Sequence, residues 1–221
     1  MAGIRVTTAP TVEPLGLADV KSYLRVSGSS EDTLLRTMIE SVRVFCEEFT
    51  GRALITQTIT MTLDATNEAH NMLWEGTRTG PYINFYKDFI TLAKPELQSV
   101  TSIKTFDDAD TATTIDSSKY YVDTSRDPGR VTLRTGETWP TALRVGNAIE
   151  VVYVAGYGDA ASDVPAPLKL GMMQHIAYLY DQRGDMKDYL QTRSMPPAVQ
   201  NLYMPYKVFD ALGGSKLMAL G

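Results

Sequence analysis

Hydrophobic residues recur every three to four positions in three segments of the chain, which predicts three helices. The segments are residues 15–26, 30–50 and 165–183. The second is the clearest, because its apolar positions from Leu34 to Phe49 form one stripe. Its charged residues, Arg43 and Glu47 among them, are assigned to the opposite, polar face. Gly51 is predicted to end this helix, because glycine readily adopts the left-handed conformation found after many helices.

Between the second and third helices the period falls to two, which predicts strands. Apolar residues and threonines alternate in Ile55–Leu63, and shorter runs separated by turn residues follow. Those runs are Tyr82–Leu92, Leu97–Phe106, Tyr120–Asp123, Val131–Arg134 and Ile149–Val154. Their spacing favours an antiparallel sheet. The predicted fold class is therefore α+β: a helical bundle of the N-terminal helices and a long C-terminal helix, with an antiparallel β-rich region inserted at about residues 55–155 and a C-terminal extension.

The C-terminal part differs in character from the rest. We predict a core over residues 1–184 and an interaction extension over residues 185–221. The extension is rich in aromatic and methionine side chains, which are enriched in protein interfaces. The candidate partner interface consists of Tyr203, Met204, Tyr206, Phe209, Leu217 and Met218. An equally supported alternative is that residues 202–209 fold back and cover the helices.

Composition and charge make several classes of function improbable for this chain. The chain has 221 residues, 43% of them hydrophobic, and a net charge of −5. This acidic balance argues against the broad basic surface that tight binding of DNA or RNA requires. No apolar run reaches the length of a signal peptide or a membrane-spanning helix, so membrane residence is not expected. The single cysteine, Cys46, cannot form a disulfide within the chain.

No group of residues predicts an active site, a cofactor site or a metal site. Cys46 lies on the apolar stripe of the second helix, and the dispersed His70 and His175 do not make a zinc site with it. Asp107–Asp110 lacks the central glycine and final glutamate of a calcium loop and predicts a solvated turn. Gly156–Gly158 lacks the lysine of a phosphate-binding loop and predicts a turn that ends a strand.

The order of the motifs resembles the head–tail connector (adaptor) proteins of tailed bacteriophages and prophages. The matching stretches are LGLADVKSYLRV (15–26), FTGRALITQT (49–58), PELQSVTSI (95–103), PGRVTLR (128–134), WP (139–140), VVYVAGYGDAASDVPAPLK (151–169), YDQRG (180–184) and MPPAVQNLYMPYKV (195–208). The resemblance covers about residues 15–208, and its FTGRALITQT, PGR and AGYG–DVP elements are specific in combination. The segment 63–95 is longer than in short members, and the last dozen residues match nothing in the family.

The resemblance implies a structural virion protein without catalytic residues or cofactors. Members of this family form a ring, usually dodecameric, under the portal, where they extend the DNA channel and carry stopper or tail proteins. The expected partners are further copies of the chain, the phage portal protein, a stopper or tail-completion protein, and genomic DNA passing through the lumen without sequence-specific binding. The expected location is the virion neck, after assembly in the host bacterial cytoplasm. A chain truncated after Gly184 is expected to keep its fold and to lose portal binding.

Two other functions stay open at this point. The chain could be a stopper or tail-completion protein of the phage neck, although those are usually smaller β-barrels. It could also be an enzyme in which His70, Trp74 and Asp107–Asp110 line a small-molecule pocket. The second alternative has the weaker support, because no nucleophile or metal cluster accompanies these residues.

Overall fold

The computed structural model describes residues 3–65, 89–183 and 195–208. The strands within these ranges are β1 Gly3–Thr8, β2 Gln57–Leu63, β3 Phe89–Thr91, β4 Leu97–Phe106, β5 Ala112–Thr114, β6 Tyr120–Asp123, β7 Arg130–Leu133 and β8 Ile149–Ala155. The helices are α1 Leu17–Leu24, α2 Asp32–Thr50, α3 Ala166–Asp181 and α4 Pro197–Tyr203. Short 3-10 turns occupy Ser117–Lys119, Ala161–Asp163 and Met204–Tyr206.

The chain divides into two compact units. Of the described residues, the β unit comprises 3–9, 57–65 and 89–156, and the helical unit comprises 10–56, 157–183 and 195–208. The described strands all belong to the first unit and the described helices all belong to the second.

The β unit contains two antiparallel sheets. The larger has the strand order β1-β2-β8-β4-β5, and the smaller has the order β3-β7-β6. The alternation seen in the sequence becomes one buried face of the larger sheet, because cross-strand partners point to the same side. The central partners on that face are Ile59 with Tyr153, Met61 with Val151, and Leu63 with Ile149, and each is at most 1% exposed.

The PGR motif places a glycine where a side chain would collide. Gly129 precedes β7, and a Cβ built on it would lie 2.6 Å from the Leu97 side chain of β4. Its carbonyl accepts the Leu92 backbone N–H at 2.9 Å. Glycine is therefore required at this position for the close approach of two chain segments.

The helical unit is built around the stripe of α2. Residues of α2, α3 and α4 form one buried cluster: Leu35, Ile39, Val42, Cys46, Phe49, Leu168, Met172, Ile176, Val199 and Tyr203. Gly51 ends α2 with φ 72°, as the sequence predicts. At the other end, the Glu31 carboxylate accepts hydrogen bonds from Tyr180 at 2.5 Å and Arg183 at 2.6 Å. These bonds attach the start of α2 to the end of α3 and lower the pKa of Glu31.

The predicted helical bundle with a long C-terminal helix is wrong. α1 and α4 have only 8 and 7 residues, and the C-terminal part of the described chain holds the 16-residue α3 followed by the short α4. The β-rich part lies between the helical segments along the sequence, but it is a large two-sheet unit that also includes β1. The physical reason is long-range pairing: β1 pairs antiparallel with β2, although residues 10–56 separate these two strands along the sequence.

The individual elements match their predicted positions more closely. Helices predicted at 15–26, 30–50 and 165–183 lie at 17–24, 32–50 and 166–181, and the predicted strand Leu97–Phe106 has those bounds. The division into a core over 1–184 and an extension over 185–221 stays a prediction.

Candidate partner interface

The candidate interface residues begin on α4, which starts at a pair of prolines. Pro196 has φ −54° and ψ 138°, and Pro197 follows as the first helical residue. Proline suits this position because the first turn of a helix needs no backbone N–H donor there. The sequence Met195-Pro196-Pro197 therefore fixes where the last described helix begins.

Tyr203, at the end of α4, lies in the core of the helical unit and is 0% exposed. Its ring packs against Gly171 of α3, where a Cβ would lie 2.6 Å from the Tyr203 Cε1 atom. The Phe49 ring of α2 lies 6.0 Å away, centroid to centroid. Gly171 thus provides the space into which the Tyr203 side chain fits.

Cys46 of α2 belongs to the same buried cluster as Tyr203. Burial raises the pKa of the Cys46 thiol to about 12 and also raises the pKa of Tyr203. A thiol with such a pKa stays protonated at neutral pH and is a poor nucleophile. Cys46 is therefore a packing residue, in agreement with its place on the apolar stripe.

After α4 the chain runs back along the end of α2. The Val208 backbone N–H donates to the Thr50 carbonyl at 2.8 Å, and Arg52 Nε donates to the Tyr206 carbonyl at 2.5 Å. The Lys207 ammonium lies 5.0 Å from the centroid of the Phe49 ring. These contacts fix residues 206–208 against the end of α2.

The six predicted interface residues therefore fall into three groups. Tyr203 is buried, as the fold-back alternative expects for this residue. Met204 is 36% exposed, whereas Tyr206 is half-buried and packs against the buried cluster. Phe209, Leu217 and Met218 lie outside the described residues. The assignment of Met204 and Tyr206 to a partner interface stays a prediction.

One exposed apolar strand was not predicted. Ile4 and Val6 of β1 are 40% and 38% exposed, although their cross-strand partners Met61 and Ile59 are fully buried. The signal in the sequence is the short alternation IRVT at residues 4–7, which is too brief to predict a strand by itself.

Of the residues that could line an enzymatic pocket, the structure describes Asp107–Asp110. His70 and Trp74 lie outside the described residues. The Asp107 carboxylate accepts the backbone N–H groups of Ala109 at 2.9 Å and Thr111 at 2.8 Å, which closes the predicted solvated turn. In residues 3–65, 89–183 and 195–208, no cluster of histidine, cysteine or acidic side chains could hold a metal ion. The same ranges contain no helix of the length and hydropathy that a bilayer crossing requires.

His175 is a buried titratable residue, and we expect it to make the helical unit sensitive to acid. It is 6% exposed on α3, and its ring meets the Phe45 ring edge-on at a centroid distance of 4.9 Å. Burial lowers its pKa from 6.5 to about 4. Between these two values the unfolded chain binds a proton that the folded chain does not, so stability falls as the pH falls through this window.

We expect His175→Gln to reduce this acid sensitivity, because glutamine does not titrate. The measurement is the urea midpoint of wild type and variant at pH 7.0 and pH 4.5, followed by far-ultraviolet circular dichroism. The drop between the two pH values should be smaller for the variant. Equal drops would show that His175 does not contribute to the acid sensitivity.

Residues 15–75 match the family model of the phage gp6-like head-tail connector protein. A search of curated proteins gave no significant match.

Three solved structures share the fold. A chain in the neck of an empty gene transfer agent (GTA) particle with C6 symmetry is 22% identical, with a TM-score of 0.70, over 96% of this chain and 99% of that chain. A chain in the virion of a native gene transfer agent particle is 21% identical, with a TM-score of 0.69, over 96% and 98% of the two chains. A chain in the neck of a native GTA particle with C12 symmetry is 22% identical, with a TM-score of 0.64, over 96% and 99%. The fold is therefore shared across nearly the whole of both chains. The family-model match over residues 15–75 confirms the predicted resemblance to head–tail connector proteins.

Proposed function

We propose that this chain is a structural protein of a virion neck, where copies of it form a ring between the head and the tail. The observation that carries the proposal is the agreement of two independent comparisons. The family model describes a head-tail connector, and the structures with the same fold come from particles whose necks have C6 or C12 symmetry. A ring of identical subunits follows from such symmetry.

Within the neck, we assign the chain to the adaptor position under the portal rather than to the stopper position. The helical unit supports this choice, because a small β-barrel stopper would not need the buried cluster formed by α2, α3 and α4. The net charge of −5 also suits a ring whose lumen DNA must pass without adhering, since an acidic wall repels phosphates. The role is structural, and it uses no catalytic residue or cofactor.

We assign portal contact to the surface around Met204 and Tyr206. Met204 is exposed and Tyr206 is partly exposed, and the backbone beside them is held by the bonds of Arg52 and Thr50 to residues 206 and 208. A methionine on a fixed backbone is a suitable contact residue, because its flexible thioether adapts to an irregular apolar partner surface.

The test is co-sedimentation of the protein with portal rings from the same genome. Wild type is expected to co-migrate at a fixed ratio near one subunit per portal subunit. Met204→Asp should weaken binding about tenfold or more, because it places a charge in a desolvated contact. Circular dichroism should be unchanged, since Met204 lies outside the buried cluster.

Leu170→Asp is the matched control. Leu170 of α3 is 44% exposed, so this substitution changes an accessible apolar side chain of the same unit. Unchanged binding by this variant would attribute the effect to the Met204 surface. Failure of the wild type to bind portal rings would reject the adaptor assignment and favour a stopper or tail-completion role.

A further inference from the structure

The larger sheet ends in two strands that have no partner on their outer side among the described residues. These edge strands are β1 and β5, and all of their residues are exposed. An edge strand presents unpaired backbone N–H and C=O groups and readily pairs with another chain. The two edges differ in sequence, so they can serve as the two different faces that a ring subunit needs.

β1 lacks most of the sequence features that prevent an edge strand from pairing with another chain. It has no proline or lysine, and only Arg5 is charged. A bulge between Val6 and Thr8 leaves residues 3–6 regular. Ile4 and Val6 continue the buried face of the sheet, yet they are 40% and 38% exposed. A monomeric protein usually covers or charges such an edge, so this one is suited to a partner strand.

β5 offers a complementary surface. Thr113 pairs with Thr105, which is buried, and therefore lies on the same face of the sheet as Ile4 and Val6. The half-buried Ile115 follows two residues later. Residues 107–116 carry four aspartates and no basic residue, whereas β1 carries Arg5 and no acidic residue. Opposite charges at the two edges favour contact between different edges over contact between identical ones.

We propose that β1 of one copy pairs with β5 of the next copy, so that the larger sheets join around the ring. The proposal rests on the ring proposed above. Every neighbouring pair within the sheet is antiparallel, so the first and fifth strands run in the same direction. Copies related by the small rotation of a many-membered ring keep that direction. The new pair is therefore parallel, with Ile4 and Val6 against Thr113 and Ile115 of the next copy.

Cross-linking of mixed subunits tests this pairing in portal-bound assemblies of the full chain. One population carries Ile4→Cys or Val6→Cys, and the other carries Thr113→Cys. Adjacent strands bring such pairs within disulfide range, and positions on one face repeat every two residues, so one of the two variants should match the register. The native Cys46 is not expected to form cross-links, because it is buried and burial raises the pKa of its thiol to about 12.

We expect mixed dimers joined between β1 and β5 to account for most of the linked protein, and to form only when both populations are present. Links within the β1 population would indicate a two-fold pair of identical edges and overturn the proposal. Portal-bound rings with no link at any of the positions would overturn it as well.

A second pair of variants separates this inference from the proposed function. Val6→Lys should raise the protein concentration required for half-maximal assembly on portal rings about tenfold or more, because it removes an apolar side chain from the contact. Val12→Lys is the matched control, since Val12 is 44% exposed and lies outside the sheet. Normal assembly of Val6→Lys rejects the edge pairing alone, whereas a wild type that does not bind portal rings rejects the proposed function.

Discussion

Replacing Tyr203 with alanine is expected to destabilise the helical unit by about 3–5 kcal/mol, the range for removal of a large aromatic side chain from a core. Tyr203 is 0% exposed and contacts Phe49 and Gly171. The cavity would open between α2, α3 and α4, and these rigid elements cannot fully collapse into it. Urea denaturation monitored at 222 nm measures the loss, because this signal reports mainly on the helices.

Tyr23→Ala is the control for this prediction. Tyr23 lies on α1 and is 44% exposed, so the same substitution there should cost less than about 1 kcal/mol. Equal losses in the two variants would contradict the assignment of Tyr203 to the core.

The same packing revises the expectation for truncation after Gly184. That truncation removes Val199 and Tyr203, which are 1% and 0% exposed members of the buried cluster. The shortened chain should therefore lose stability, and its loss of portal binding would not identify a contact surface. Point substitutions at exposed positions such as Met204 are the appropriate test of binding.

The sequence predicts the elements of this fold better than their assembly. The stripe of α2 and the alternation in Ile55–Leu63 are periodic signals, and most of their apolar residues are buried, although Leu34 and Phe45 of the stripe are 40% and 38% exposed. The order of strands is set by long-range pairing, which periodicity does not encode. Because the six residues of β1 pair with β2, the larger sheet contains a strand that precedes the helices, and the pattern of the sequence did not predict this.

The candidate interface also shows what sequence-based prediction cannot supply. Aromatic and methionine residues at positions 203–206 predict a contact surface, but composition does not tell which of them faces inward. In the structure, the missing side chain of Gly171 leaves room for the buried ring of Tyr203, whereas Met204 is 36% exposed. Ile4 and Val6 were missed because a four-residue alternation is too short to be significant.

For two charged residues of α2, Arg43 and Glu47, the periodic pattern predicted the wrong face of the helix. Both were assigned to the polar face of α2, but they are 7% and 4% exposed. Arg43 pairs with Glu13 at 2.8 Å and with Glu47 at 3.2 Å. Glu47 also accepts the Leu54 backbone N–H at 3.0 Å, which attaches the chain after Gly51 to α2. Two opposite charges four residues apart can be buried as a pair, and the hydrophobic period does not reveal this.

Arg43→Met is expected to destabilise the helical unit by about 3–5 kcal/mol, the range for breaking a buried ion pair from one side. The methionine keeps much of the side-chain volume, but the Glu47 carboxylate loses the Arg43 cation in a poorly solvated position. Glu13 is more exposed, at 34% of its side chain, and can recover hydration. The free energy of unfolding is measured by urea denaturation at neutral pH.

Two control variants separate the effect of the buried Glu47 charge from the effect of replacing an arginine. They are Arg36→Met and the double variant Arg43→Met/Glu47→Met. Arg36 lies on the same helix and is exposed, so its substitution should change stability by no more than about 0.5 kcal/mol.

The double variant should recover part of the stability lost in Arg43→Met, because it also removes the carboxylate that had lost the Arg43 cation. It also removes the hydrogen bond from the Leu54 backbone N–H to Glu47. A double variant less stable than Arg43→Met would mean that the bond from Leu54 to Glu47 stabilises the unit more than burial of that carboxylate destabilises it. A loss for Arg43→Met no larger than for Arg36→Met would contradict the prediction, because the ion pair would then contribute no more to stability than an exposed charge.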